Sequence, residues 1–429
     1  MMAPEPKTPL AQRPWENVER MVDVDAALDR VLAQFCPLDA EELSLLDAVG
    51  RILARNVVAR DDVPPFRNSA MDGYAVMSAD IAAATWNTPV SLPIVAQIAA
   101  GHRTIPRLKP GQAIRIMTGA PMPTGADAVV RFEETDESHA PLVQPRKTVR
   151  ISRAAAPQDN VREAGEDIAR GALIACPGAE LTPALLGIIA AAGEAHVAVY
   201  RRPVVGILST GNEVVAAGCE LEQGMIRDSN SVVIGALARQ WGADARLLGI
   251  ARDSVPELSA RLSDARDVDL LVTSGGVSLG DYDFVKDVLH ASGSVAIWQV
   301  RMKPGKPLAF GSIDGTPLIG LPGNPVAAAV SFFLFGRPVV RKLLGHRELA
   351  PRTVDVLTTE AIDNRGQRRH YARVLLQPQD DGPALATVVG SQGAGILSSF
   401  AGADALLVVP EHLERVEAGT RLRALLLDQ

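Results

Sequence analysis

From Arg201 onward the chain repeats one unit, an apolar β-rich run, a turn and a helix, and this alternation restricts the fold more than any other feature of the sequence. The strand-like runs are "PVVGILSTG", "ARLLGIARD" and "VDLLVTSGG"; the helical ones are "SNSVVIGALARQWG", "VPELSARLSDAR" and "DYDFVKDVLHASG", the last capped by Asp281. The pattern predicts a doubly wound, parallel α/β domain over residues 201–346, with helices on both faces of its sheet. In such a domain ligands gather at the carboxyl ends of the strands.

The rest of the chain carries other patterns, and 429 residues exceed what one core supports, so a multidomain α/β plus β protein is expected. Residues 1–19 read as a flexible tail. Residues 20–58 show helical apolar spacing; with 156–200, whose "TPALLGIIAAAG" can pack back on them, they make a helical linker domain. Residues 59–155 change to short β-type runs such as "VSLPIVAQI" and "DAVVRFEET" between Gly/Pro turns, an inserted small β domain. Residues 347–429, with "HYARVLLQP" and "ALLVVP", form a C-terminal β module.

Composition removes several function classes. A net charge of −7 without a Lys/Arg run argues against nucleic-acid binding. No stretch reaches the roughly 20 uninterrupted apolar residues of a membrane span. The first residues carry Pro and charge where a signal peptide needs an apolar core, so a cytoplasmic location is expected. Cys36, Cys176 and Cys219 are scattered, which fits a reducing compartment and no zinc site.

The predicted strand ends carry the chemistry. "LSTGNEV" presents Glu213, and "VTSGGVSLGDYD" places Ser274, Gly275, Gly276, Ser278 and Gly280 between a strand and a helix start. Such glycines let backbone N–H groups approach a phosphate; they serve equally in a loop that needs their dihedrals. "RMKPGKP" holds Lys303, Pro304, Gly305 and Lys306 on a proline-stiffened turn, and "GLPGNP" holds Pro322, Gly323, Asn324 and Pro325, the last a favoured first helical residue. Following a strand, the two lysines read as part of an anion pocket. Glu213, Asp253, Asp281 and Asp283 also fall at strand ends; next to phosphate they need a hard cation such as Mg²⁺, for which Glu213 and Asp283 are the better ligands and Asp281 a helix cap. In the β domain, "VPPFRNSAMDGYAV" raises a separate question. Its Asp72-Gly73 has the form of a hairpin turn, yet it also places a carboxylate.

Taken in order, "NSAMDGYAV", "IRIMTGAP", "NVREAGEDI", "STGNEV", "TSGGVSLGDYD", "KPGKP" and "GLPGNPV" resemble the molybdopterin molybdenumtransferases, the MoeA and gephyrin E-domain family, from about Val22 to the end of the chain. The resemblance implies a homodimer with the linker domain at its interface, in which the α/β domain of one subunit faces the β domain of the other. It implies a barrel-like last domain and a Mg²⁺-assisted reaction: molybdate enters adenylylated molybdopterin, the phosphoanhydride is cleaved, and molybdenum cofactor and AMP leave. It carries Asp72, Thr118, Arg162 and Asp167 over as site groups, beside Glu213, Asp253, Asp283, Lys303, Lys306, Pro322 and Pro325. A molybdopterin adenylyltransferase and proteins that deliver cofactor to molybdoenzymes are the partners it suggests. The competing readings are a non-catalytic dimeric scaffold and the adenylyltransferase itself, whose similarity would stop at the α/β domain. Two departures stand out. Ala327 occupies the place of a frequent serine, and "HYAR" puts His370 where the family pattern has an acid, which bears on Arg369 and Arg373.

Overall fold

The computed structural model describes residues 21–137, 146–263, 265, 267–276 and 293–427, which divide into two compact units: Glu42–Val199, and the chain up to Glu41 together with Tyr200 onward. Helix α1 (Val24–Leu32) forms because Val24, Ala27, Leu28 and Val31 recur at helical spacing. That stripe enters a core with Ile207, Trp298, Phe310 and Phe335, and Lys342 Nζ donates to the Leu32 carbonyl at the helix end. The apolar face of α1 is thus buried inside the second unit. The segment "TPALLGIIAAAG" packs on Ala48, Leu53 and Val57 of the 20–58 stretch, in a core separate from that of α1.

In the first unit, strands β1 (Asn68–Ser69), β2 (Gly73–Val76), β3 (Val90–Ile98), β4 (Ala113–Ile116), β5 (Ala128–Arg131), β6 (Thr148–Ile151) and β7 (Val161–Arg162) build the small β domain. Five of them form one sheet in the order β5-β2-β4-β3-β6, while β1 pairs with β7. Helix α2 (Pro183–Ala191), capped by Thr182, buries Leu186 and Ile189 against Ala48, Leu53, Val57 and Val199. The Asp72-Gly73 pair is not a hairpin turn. Gly73 is already in β2, and a Cβ there would overlap the Val130 carbonyl oxygen of β5. The glycine is required by close strand approach.

The second unit continues with β8 (Val204–Thr210), α3 (Asn230–Gln240), β9 (Asp244–Ala251), α4 (Val255–Ser263), β10 (Leu270–Ser274), β11 (Gly293–Gln299), β12 (Met302–Lys303), β13 (Pro307–Ile313) and β14 (Thr316–Leu321). The sheet order is β9-β8-β10-β14-β13-β11. The first four strands are parallel, as the alternation predicts, but β13 runs antiparallel to both neighbours. The sheet is therefore mixed, not wholly parallel. The cause is local: Asp314 and Gly315 both take positive φ, which closes a tight two-residue hairpin. From Pro325 one continuous helical rod runs as α5 (Pro325–Ser331), a π turn over Phe332–Gly336 and α6 (Arg337–Leu343). Five strands, β15 (Thr353–Thr358), β16 (Arg369–Gln377), β17 (Ala384–Val388), β18 (Ala405–Val409) and β19 (Arg421–Leu426), then close on themselves as a barrel. Closure leaves no free sheet edge among them, except that β16 also extends to pair in parallel with β12. That short ladder ties the barrel to the loop bearing the lysines. Among the described residues no helix is long and apolar enough to cross a membrane.

Candidate functional site

A cleft of about 870 Å³ opens at the carboxyl ends of β8 and β10. Its wall is built from loops far apart in sequence, because successive parallel strands end at the same edge of the sheet. Ser209, Thr210 and Ser274 form the strand-end floor; Gly275 and Gly276 follow; the Lys303–Pro307 turn, the Pro322–Pro325 turn and residues 392–394 from beside the barrel complete it.

Glycine is needed at two of these positions. Gly275 has φ +90, and a Cβ on it would lie 2.8 Å from the Thr210 carbonyl oxygen, so the close crossing of the two strand ends depends on it. A Cβ on Gly211 (φ +142) would lie 2.8 Å from Glu213 Oε2: the Glu213 carboxylate folds back over the backbone that leaves β8. Asp253, from the end of β9, is engaged differently. Its Oδ2 accepts from the Asn212 N–H at 3.4 Å, while its own N–H donates to Asn212 Oδ1 at 3.1 Å. That reciprocal pair gives Asp253 a loop-holding part as well as a place in the cleft lining.

Lys303 and Lys306 both line the cleft, and among the described residues neither forms an ion pair. The Lys306 carbonyl accepts from Val300 N–H at 2.7 Å, closing the turn, and a Cβ on Gly305 would overlap Ser331 Oγ. The turn is therefore fixed by backbone packing, and both lysines are held in the cleft lining. Pro322 is buried, Gly323 and Asn324 are exposed, and Pro325 starts α5. The first free amides of that helix are already used, since Val326 and Ala327 N–H both donate to the Ala394 carbonyl. The Pro322–Pro325 turn shapes the cleft wall without offering those amides to an anion. Ala327 is buried and lines the same wall.

Ser278, Gly280, Asp281 and Asp283 lie outside the described residues. Among the described residues no group of three His, Cys, Asp or Glu side chains gathers as a metal site. The cleft lining holds the carboxylates of Glu213, Asp228 and Asp253; Asp228 and Asp253 are engaged by Ser231 and Asn212 N–H, which leaves Glu213 the better fit to Mg²⁺, a cation that takes one or two carboxylates with phosphate oxygens and water.

Several contributors escape a reading of the sequence by motif. Asn230, in the first turn of α3, donates from Nδ2 to Ser274 Oγ at 2.7 Å and to the Gly323 carbonyl at 2.8 Å, joining the end of β10 to the Pro322–Pro325 turn. Asp228 Oδ1 accepts from Ser231 N–H at 3.0 Å, placing a carboxylate at the positive end of α3. The string "RDSNS" before the helix carried this signal. Arg373 is wholly buried; it donates to Ser399 Oγ and to the carbonyls of Ser391 and Gly393, holding the wall formed by residues 392–394 from behind. Burial without a carboxylate partner lowers its pKa to about 10. Arg369 instead binds Asp25 at 2.8 and 2.9 Å and Glu411 at 3.2 Å, which pins α1 to β16 away from the cleft lining.

In the β domain the structure brings two of the four expected groups together. Asp72 Oδ1 accepts from the Thr118 N–H at 2.7 Å and from its hydroxyl at 2.8 Å. These bonds lower the Asp72 pKa below the ordinary carboxylate value and leave Oδ2 without a protein partner among the described residues. Both residues are exposed. Arg162 lies in β7 opposite Asn68, its side chain exposed, and Asp167 donates its N–H to the Val63 carbonyl. Neither side chain is bonded to Asp72 or Thr118.

Three family models match in succession: the MoeA N-terminal region (domain I and II) over residues 22–193, a probable molybdopterin binding domain over 206–342, and the MoeA C-terminal region (domain IV) over 355–427. Molybdopterin molybdenumtransferase 2 of Mycobacterium tuberculosis is 40% identical over 389 residues, covering 88% of this chain and 93% of that protein. The molybdopterin molybdenumtransferase of Haemophilus influenzae is 34% identical over 402 residues, covering 93% and 97%. Among solved structures, a molybdopterin biosynthesis MoeA protein from Pyrococcus horikoshii superposes with a TM-score of 0.82 at 31% identity, over 95% of this chain and 99% of that one.

Proposed function

The chain belongs to the molybdopterin molybdenumtransferase family, and from that premise we propose that its strand-end cleft inserts molybdate into adenylylated molybdopterin, cleaving the phosphoanhydride and releasing AMP and molybdenum cofactor. The chain is thus a transferase of molybdenum cofactor biosynthesis. The observation that carries the finer reading is the pair Lys303 and Lys306, held on a packed turn without ion-pair partners among the described residues, in one cleft with a glycine-lined strand-end floor and the Glu213 carboxylate. Fixed cations aimed where negative charge sits need no reorganisation when the reaction occurs, and in a cleft they act at reduced dielectric.

The residues take roles accordingly. Lys303 and Lys306 neutralise oxyanions of molybdate and of the phosphates; Gly275 and Gly276 allow the substrate close to the backbone; Asn230 and Asp253 keep the loops in register. Glu213, with Asp283, would hold Mg²⁺, which when bound would supply charge neutralisation at the anhydride. Asp72, oriented by Thr118, offers one free carboxylate oxygen for steering or proton transfer. We assign the working state as a cytoplasmic homodimer in which Asp72 of one subunit serves the cleft of another.

Purified protein mixed with adenylylated molybdopterin, Mg²⁺ and molybdate should release AMP in a molybdate-stimulated reaction. Bound substrate with no molybdate-stimulated AMP sinks the proposal. Asp72→Asn and Lys303→Ala subunits, each defective, should regain part of the activity when exchanged into mixed dimers; no recovery despite proven exchange would place the two groups in the same chain.

A further inference from the structure

His370 lies in β16 directly in register with Lys303 of β12, the two strands running parallel, so the two residues are neighbours on adjoining strands. His370 is 2% exposed, and among the described residues neither ring nitrogen has a hydrogen-bond partner. Among the described residues the charged groups that act on it are cations: Lys303 on β12, Arg373 on β16 itself and Arg368 just before it. Arg369, the next residue, turns to Asp25 and Glu411, so those two carboxylates are occupied elsewhere. Burial first, then the neighbouring cations, lower the pKa of His370 to about 3, so the ring is neutral near pH 7. An acid at this place would be a ready counter-ion for Lys303.

We propose that His370 sets the charge selectivity of the cleft: an uncharged side chain beside Lys303 leaves that ammonium uncompensated, available to a doubly charged tetrahedral oxyanion. This rests on the reading that Lys303 and Lys306 receive such an anion. His370 is a positioning residue in this account. It need not touch the ligand; it governs the field the ligand meets, because a carboxylate at contact distance in a cleft of reduced dielectric would cancel most of one lysine charge.

The test uses the full-length protein and two tetrahedral oxyanions of similar size, molybdate with two charges and perrhenate with one, measured by isothermal titration calorimetry. The wild type should prefer molybdate by more than about tenfold, as two uncompensated lysines require. His370→Glu should weaken molybdate by about tenfold or more and perrhenate by less than about threefold, compressing the ratio. His370→Gln, uncharged and of similar size, should keep the wild-type ratio. A general loss of packing would weaken both anions alike. The inference is overturned by a wild-type ratio near one, by an unchanged ratio in His370→Glu, or by a collapsed ratio in His370→Gln. The wild-type measurement decides even where the Glu variant does not fold. Lys303→Ala separates the two levels: if that variant binds molybdate as the wild type does, the anion site itself is misassigned, whatever His370 does.

Discussion

The cleft of the α/β domain and the Asp72 edge of the β domain hold the expected site residues in opposite ways. In the cleft, groups from residues 209 to 394 converge on one cavity, and each is fixed by something other than its function: Gly275 by a crossing backbone, Lys306 by its own carbonyl, Asp253 by Asn212. At the β-domain edge, the one residue among those described that orients the Asp72 carboxylate is Thr118, and both are exposed. On the proposed reading the cleft is the anion receptor, assembled within one compact unit. The edge is a single aimed carboxylate that needs a surface brought to it.

The contrast can be broken first at Lys303. Replacing it by Ala should lower molybdate-stimulated AMP release by about 10²–10³-fold, the usual effect of removing one fixed electrostatic group, as measured by kcat/KM. A loss below tenfold would mean the cleft does not depend on that charge. Gly73→Ala probes the edge through its scaffold. The added methyl meets the Val130 carbonyl, so the β unit should lose about 2–3 kcal/mol, seen in calorimetry as a lower transition for that unit alone. An unchanged transition would show that β2 and β5 can part without cost.

The third test uses pH. Burial lowers His370 to about 3 and His346 to about 4, whereas in the unfolded chain both titrate at the ordinary value near 6.5. The unfolded chain therefore takes up protons first as pH falls. The contribution is fully present above 6.5 and is lost progressively on the way down toward 4 and 3. His370→Gln should flatten the fall in unfolding free energy between pH 7 and 4.5, read from urea melts, by about 2.5 kcal/mol at most. Equal slopes in variant and wild type would show that His370 is hydrated in solution.

The smallest expected effect lies at Asp72. Thr118→Val removes the hydroxyl donor and should raise the Asp72 pKa toward its ordinary value, followed by carboxyl NMR. AMP release should fall by about threefold to tenfold, chiefly at acid pH, where the less depressed carboxyl is protonated. An acid limb identical to wild type would remove Asp72 from proton transfer and leave it steering only.

Much of this architecture was legible in the order of residues. Buried parallel strands are apolar along their whole length, so "PVVGILSTG" and "VDLLVTSGG" announced themselves, and sheet geometry then required their ends to share one edge. Glu213, Gly275, Lys303 and Lys306 follow from position alone. Asp314-Gly315 carries a local two-residue turn signal, but its strands sat inside an alternation that suggested parallel pairing, and the turn went unread. What only the tertiary structure decided concerns groups whose meaning depends on a distant neighbour. Gly73 is a glycine because of Val130, not because of a turn; α1 belongs to the core of Ile207 and Phe335, not to that of α2. His370 is a neutral ring, without a hydrogen-bond partner among the described residues, because β16 buries it and then because it lies beside Lys303. Local propensity and periodicity act over a few residues and can be read along the chain. Burial, register and the sign of the nearest charge are set by pairs of residues tens of positions apart, and the folded chain alone defines those pairs.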